Sequence, residues 1–336
     1  MNQSIHISYF QQQENREKQQ DKNKRKRSQK KKIIVANNFF CENNIFICDT
    51  IRENIPNCSD KFEILTSAIS LVSSEEKRRE KGEKGEKEKD LYLLEYEHSE
   101  EELTSFFEYL SAIKSDTKKY IFAIITTYQK LLRNILLLQK ANIVHFNINY
   151  KTICFDDTQQ VLLRDWTNAM TVKNAMTVKN ANIITRKNED ISTNSPLEIY
   201  VLSHMNKENE KDEPSNILNR DSIESICKTY VNNPYLSFIA TSSKDKLYAK
   251  SVDFLMPFIN MPREKIMSEM MKYSYTWDNY SLTIIYLHIV ASFKNKSAFF
   301  LDFFRLLNKN LLTKTGIQET IDSFDSLFCK HTDWNH

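Results

Sequence analysis

Ala141-Asn142-Ile143-Val144-His145-Phe146-Asn147-Ile148-Asn149-Tyr150-Lys151-Thr152-Ile153-Cys154-Phe155 is the segment on which the architecture turns. Upstream of it, Ile121, Ile124, Ile125, Tyr128, Leu131, Leu132, Ile135 and Leu138 recur at three- and four-residue spacing, and Asp116 stands where an N-cap belongs. That spacing predicts a long, largely buried helix ending at Gln139. Downstream, Thr152–Phe155 and Val161–Leu163 flank the turn-forming run Asp156-Asp157-Thr158-Gln159-Gln160, which predicts a tight pair of strands. The quoted segment is therefore a polar loop between a buried helix and an apolar hairpin.

Further along, Leu162-Leu163-Arg164-Asp165-Trp166-Thr167 closes the hairpin, with Asp165 ten residues after Phe155. A six-residue unit, Asn168-Ala169-Met170-Thr171-Val172-Lys173, is then copied once as Asn174–Lys179. A single copy of so short a period marks a local duplication in a length-tolerant loop, not a solenoid. Thr171, Thr177, Ser192 and Thr193 lie in this region, as sites open to modification or as ordinary loop residues. Ser195-Pro196-Leu197-Glu198 follows, and beyond Pro196 the chain reads as helical, most strongly over 280–291, 298–312 and 317–328. Trp277 and Tyr273-Ser274-Tyr275 read as helix-packing groups.

Upstream, Leu91-Tyr92-Leu93-Leu94-Glu95-Tyr96-Glu97 is an apolar strand that ends acidic. It follows a charged, low-complexity stretch, residues 73–90, with no apolar face, which reads as an insertion between strands. Ile33-Ile34-Val35, Phe39-Phe40, Ile45-Phe46-Ile47 and Phe62-Glu63-Ile64-Leu65 read as short strands between turns. Residues 1–32 are rich in Gln, Lys and Arg and read as a disordered tail. Its basic block, residues 22–32, is either a nuclear-import or nucleic-acid contact or a solvated arm.

Three glycines in 336 residues (Gly82, Gly85, Gly316) exclude every glycine-rich phosphate cradle. Forty-seven basic against 44 acidic side chains leave a net charge of +3, so no overall field favours nucleic acid or an anionic membrane. The cysteines are scattered without a C-x-x-C pair, which argues against zinc or a disulfide framework and for a reducing, intracellular compartment, cytoplasmic or nuclear. No signal peptide and no apolar run of membrane-spanning length is apparent. His98, His204, His288 and His331 have no metal-site spacing.

The ordered fragments resemble the eukaryotic-type protein kinases. His145 to Phe155 is similar to the H-R-D-L-x-x-x-N catalytic loop, Asp165-Trp166-Thr167 to D-F-G, Ser195–Glu198 to A-P-E, and Trp277–Tyr286 to the D-x-W-S-x-G helix. The resemblance implies an α+β, protein-kinase-like bilobal fold. Its strand-rich N-lobe is reduced (33–97, with the 73–90 insertion). Its helical C-lobe (98–336) contains an activation-loop equivalent, 165–198, and an insertion, 200–276. It makes Leu94 the gatekeeper and Glu95, Tyr96 and Glu97 the adenine-facing backbone.

Position by position, the resemblance puts Asn147 at the catalytic Asp, an amide with no basicity near neutral pH. Asn149 replaces the lysine that contacts the transferred phosphate. Thr152 replaces the second-metal Asn, and Asp165 alone remains to hold magnesium. No V-A-x-K appears, and Lys32 and Lys61 only flank strand-like segments. His145, which also reads as a plain buried histidine, Trp166, Asp278 and Glu198 match residues that hold the kinase lobe together, with Lys314 as the one basic partner near Glu198. Scaffold residues persist and reaction residues are replaced, the pattern of a pseudokinase acting on a protein partner as a binding or regulatory module. The alternative is an atypical active Ser/Thr kinase using ATP and magnesium through Asp165 and an unaligned lysine. A third reading is a nucleic-acid-associated protein led by its basic tail. No membrane contact is expected. The Asn, Ile and Lys richness fits an AT-rich genome, such as that of a large DNA virus or a protist.

Overall fold

The structure is a computed structural model and describes residues 31–35, 38–70, 92–96, 103–172, 195–207, 217–237, 239, 241–293 and 297–332. The tail up to residue 30, the charged insertion, Glu97, the second copy of the repeat, Thr177, Ser192 and Thr193 lie outside the described residues. The chain divides into two compact units. The first runs up to Tyr109 and includes Ile153–Thr167; the second comprises Leu110–Thr152 and everything from Asn168.

In the first unit, β1 (Lys31–Val35), β3 (Tyr92–Tyr96) and β2 (Leu65–Ser70) form an antiparallel sheet with β3 in the middle. Lys31 and Lys32 pair with Tyr96 and Glu95, so the expected tail ends inside a strand. Helix α1 (Asn38–Asn54) occupies the region where Phe39-Phe40 and Ile45–Ile47 were expected to be strands. The reason lies in a longer window: Ile47, Ile51 and Ile55 are four apart, share one helical face, and are all buried. Phe62 makes only an isolated bridge to Leu163, and β2 starts at Leu65.

A second small sheet sets β6 (Ile153–Phe155) between β4 (Thr104–Ser105) and β7 (Val161–Leu163). The β6–β7 hairpin expected from sequence is present. Asp156 Oδ1 accepts from Gln160 N (2.8 Å) and from Thr158 Oγ1 (2.8 Å), and Gln159 adopts φ 62° to close the turn. Pairing to β4 and the bridge from Phe62 bring this hairpin into the strand-bearing unit, where the sequence boundary at 97/98 had left it with the helices. Leading from β4, α2 (Phe106–Ile113) brings Tyr109 to stack on Phe155 at 4.0 Å.

The second unit is helical. Helix α3 (Thr117–Lys140) begins where Asp116 accepts from Lys119 N (3.1 Å), as its spacing predicts. It is followed by β5 (Ile143–Val144), which pairs with β8 (Met170–Thr171). Thr171 thus sits in a strand, not the loop expected for the first repeat copy. The remaining helices are α4 (Leu197–Lys207), α5 (Arg220–Val231), α6 (Thr241–Leu255), α7 (Arg263–Met271), α8 (Ser274–Ala291), α9 (Ala298–Thr313) and α10 (Ile317–Thr332). The expected 200–276 insertion is therefore mostly helix, with α4 packed on both α5 and α7.

Helix α8 is buried on nearly every side, the mark of a core helix, and packs against α3, α9 and β5. Helix α3 is long and apolar enough to cross a membrane by composition, but half of its apolar window is buried in the unit, where it packs on α8 and α10. At this junction Tyr128 meets Tyr286, Phe303 and Phe324 with ring centroids 4.5, 4.9 and 4.8 Å apart. Burial pushes the Tyr128 hydroxyl well above its ordinary titration range, and its oxygen has no hydrogen-bond partner among the described residues. Tyr128→Phe removes that desolvated group without a cavity and should stabilise the chain by about 1 kcal/mol, whereas Tyr128→Ala should cost roughly 4 kcal/mol. Urea unfolding checks both. A destabilised Phe variant would show that the hydroxyl is satisfied.

Candidate functional site

The loop after α3 begins with Ala141 N donating to Leu137 O (3.0 Å) and Asn142 in the left-handed region at φ 57°. Asparagine tolerates that region better than most side chains, which matters in a chain with so few glycines. Val172 N donates to Asn142 O at 2.8 Å, extending the β5–β8 pairing. The chain then turns beneath α8. Asp278 of that helix accepts from the His145 backbone N through Oδ2 and from the Phe146 backbone N through Oδ1, both at 2.8 Å. Phe146 is itself at φ 58°, a conformation costing about 1–3 kcal/mol for such a side chain, and its ring packs on Trp277 at 5.1 Å. Burial raises the Asp278 carboxyl above the usual carboxylate range, opposed by His145 and by the two backbone donors.

Beyond this anchor, the positions that would carry transfer chemistry bond to one another. His145 is fully buried, and its Nδ1 accepts from Asn147 N at 3.3 Å. Asn149 Nδ2 donates to both the carbonyl and Oδ1 of Asn147 at 3.0 Å, while Asn149 Oδ1 accepts from Lys151 N at 2.8 Å. Thr152 is buried; its hydroxyl donates to Asn147 O (2.8 Å) and accepts from Asn149 N (2.9 Å). The three residues form a closed knot within the loop. Amides and a hydroxyl hold no group that is basic near neutral pH, and Thr152 brings a hydroxyl where the resemblance puts a carboxamide.

Asp165 belongs to the strand-bearing unit. It too takes a left-handed conformation, φ 67°, and its Oδ1 accepts from Thr167 N (3.3 Å) and from the Thr167 hydroxyl. Thr167 stands where the resemblance puts a glycine, and its hydroxyl bonds one of the two carboxylate oxygens of Asp165. Trp166 is fully buried: Nε1 donates to Glu63 O at 2.7 Å and the ring meets Phe62 edge-on at 5.6 Å. Among the described residues no group of three or more His, Cys, Asp or Glu could hold a metal ion. One carboxylate of this kind does not fit a two-magnesium centre.

Leu94 is fully buried in β3, and Leu94 and Glu95 are laddered to β1 on one edge and to β2 on the other. Tyr96 likewise pairs with Lys31 and Leu65, so Leu94, Glu95 and Tyr96, expected as gatekeeper and adenine-facing backbone, lie along the central strand of this sheet. Lys32 stands within β1 opposite Glu95, not beside it as expected, while Lys61 Nζ caps the Asn57 carbonyl at 3.0 Å.

Glu198, buried at the start of α4, forms an ion pair with Lys314. Lys314 sits just past α9 at φ 51°, with Nζ 3.2 Å from the centroid of Phe254. Desolvation lowers its pKa, and Glu198 opposes this. Sequence reasoning missed the role of Phe146. Its signal was indirect: a chain with almost no glycine must place other residues where the backbone turns left-handed.

No protein-family model matches the chain, and no curated protein does. Among solved structures, a Toxoplasma gondii specific rhoptry antigen kinase domain is similar at 11% identity and a TM-score of 0.42, covering 90% of this chain and 74% of that one. A rhoptry kinase from Toxoplasma gondii is similar at 11% identity and a TM-score of 0.41, covering 90% and 72%.

Asp278→Ala leaves two buried backbone donors unpaired and should cost roughly 3 kcal/mol. Because the folded-state pKa of Asp278 lies above its unfolded value, the folded chain keeps this proton to higher pH, and the group's contribution falls as pH rises through that interval. The cost of Asp278→Ala in urea unfolding should therefore be largest below the ordinary carboxylate range and shrink as pH rises above it. A cost that grows with pH would refute desolvation as the dominant influence.

Proposed function

We propose that this chain is a kinase-like protein that does not transfer phosphate and serves as a protein-binding or regulatory module. The element order supports the kinase-like part: strand, helix, three strands, a short and then a long helix, a polar loop, a hairpin, then a helical unit around α8. The observation that carries the loss of chemistry is the closed knot of Asn147, Asn149 and Thr152. A positioned general base contributes about 10²–10⁴-fold, and this loop offers none. Losing charge neutralisation at the phosphates would add further orders of magnitude. Meanwhile the interactions that hold the lobe, Asp278 with the loop backbone and Glu198 with Lys314, are retained. The 200–276 stretch is the proposed partner surface, with Met256 and Tyr275 exposed on it.

One observation favours an active enzyme instead: Lys32 lies within β1, beside the central strand β3, and that reading calls for a strand lysine. The two readings separate in one experiment. The full chain, mixed with ATP and magnesium, should show no rise in melting temperature and no incorporation of γ-phosphate into itself or a general acceptor protein. Asp165→Ala and Lys32→Ala should leave both results unchanged. ATP-dependent stabilisation that disappears in either variant, or labelling above background, would overturn the proposal in favour of the enzyme.

A further inference from the structure

The helical unit contains a cleft of about 580 Å³ bordered by the start of α4, by α6 and α8, and by the end of α9. That size suits a small-molecule site. Its walls are aromatic, with Tyr230, Phe254, Tyr273 and Tyr280 among them. Its charges are matched: Glu198 pairs with Lys314, whose ammonium lies over Phe254 and Tyr273, and Lys250 on the rim is offset by Asp253. Nothing in that balance selects an anion or a cation.

The polar atoms are less ordinary. Asn310 borders the cleft at 4% exposure, and both its Nδ2 and its Oδ1 are buried without a hydrogen-bond partner among the described residues. Thr283, at 1% exposure, has a hydroxyl in the same condition. Asn279 is half satisfied: Nδ2 donates to Thr315 O (2.8 Å) and to Thr320 Oγ1 (2.9 Å), while Oδ1 has no hydrogen-bond partner among the described residues. Asn279 and Thr283 are four apart on α8 and so lie on one face, and Asn310 continues the buried face of α9 begun by Phe303, Leu306 and Leu307. Desolvated polar groups with no partner are destabilising, and three gathered at one cleft need a reason.

We propose that this cleft binds a small, uncharged, aromatic carboxamide or a ring bearing an equivalent lactam edge. A carboxamide offers an N–H donor beside a carbonyl acceptor, the complement of the Asn310 side chain, so two parallel hydrogen bonds can form between them. The Asn279 oxygen and the Thr283 hydroxyl supply an acceptor and a donor for the remaining positions, and the tyrosine and phenylalanine rings flank the planar ring. The inference is independent of whether the loop at Asn147 transfers phosphate, since it uses none of those residues.

The test is titration of the full chain with benzamide and nicotinamide, followed by saturation-transfer NMR and melting temperature, with benzoate as the charged isostere. Benzamide should bind and raise the melting temperature, and benzoate should not. Asn310→Leu, close in size and without polar atoms, should raise the melting temperature of the unliganded chain and weaken benzamide at least about tenfold. Thr283→Val should do the same to a smaller extent. Failure of both amides to bind the native chain, binding unchanged in both variants, or unliganded variants that melt lower than the native chain would each overturn the proposal.

Discussion

A single carboxylate, Asp278, holds the backbone N–H groups of His145 and Phe146 from inside the most buried helix of the chain. Much else depends on that interaction. It fixes a left-handed residue, Phe146, that would not otherwise keep its conformation, and it sets the depth at which His145 and the Phe146 ring enter the core. Desolvation makes the ionised form costly, so the anchor functions only because two directed donors and His145 meet it. A buried charge compensated in this way specifies one loop geometry and tolerates few alternatives.

From that anchor outward the loop is self-satisfied. Asn147, Asn149 and Thr152 use their polar groups on each other. The same economy recurs at Asp165, bonded by the threonine two residues on, and at Glu198, bonded by Lys314. The cleft beside Asn310 is the opposite case, with desolvated polar atoms left unsatisfied by the fold.

The scarcity of glycine shapes the backbone throughout. Among the described residues, left-handed positions fall to Asn57, Asn142, Asn260 and Asp165, side chains that tolerate them, and to Phe146, Gln159 and Lys314, which tolerate them less well. Asn142 and Phe146 lie in the loop after α3, Asp165 follows the β6–β7 hairpin, and Lys314 forms the ion pair with Glu198. Each needs surrounding contacts to hold it, which ties the local geometry to the packing of the helices.

Long periodic segments were legible without coordinates. The α3 pattern with its Asp116 cap, the β6–β7 hairpin and the helices after Pro196 follow from spacing that is local and sustained, where the hydrophobic effect imposes a period on the sequence. The identities of Asn147, Asn149 and Thr152, two amides and a hydroxyl where the resemblance puts Asp, Lys and Asn, were likewise readable at once. Short segments were not legible: α1 read as strands because runs of two or three apolar residues carry no period, and only packing against β2 and β3 selects the helix. Nor could the sequence show that β3 is a central strand whose backbone is already engaged, or that Asn279, Thr283 and Asn310 border one cleft. Those facts depend on pairings between residues far apart in the chain, and such pairings are decided by how the elements pack together, for which local composition holds no record.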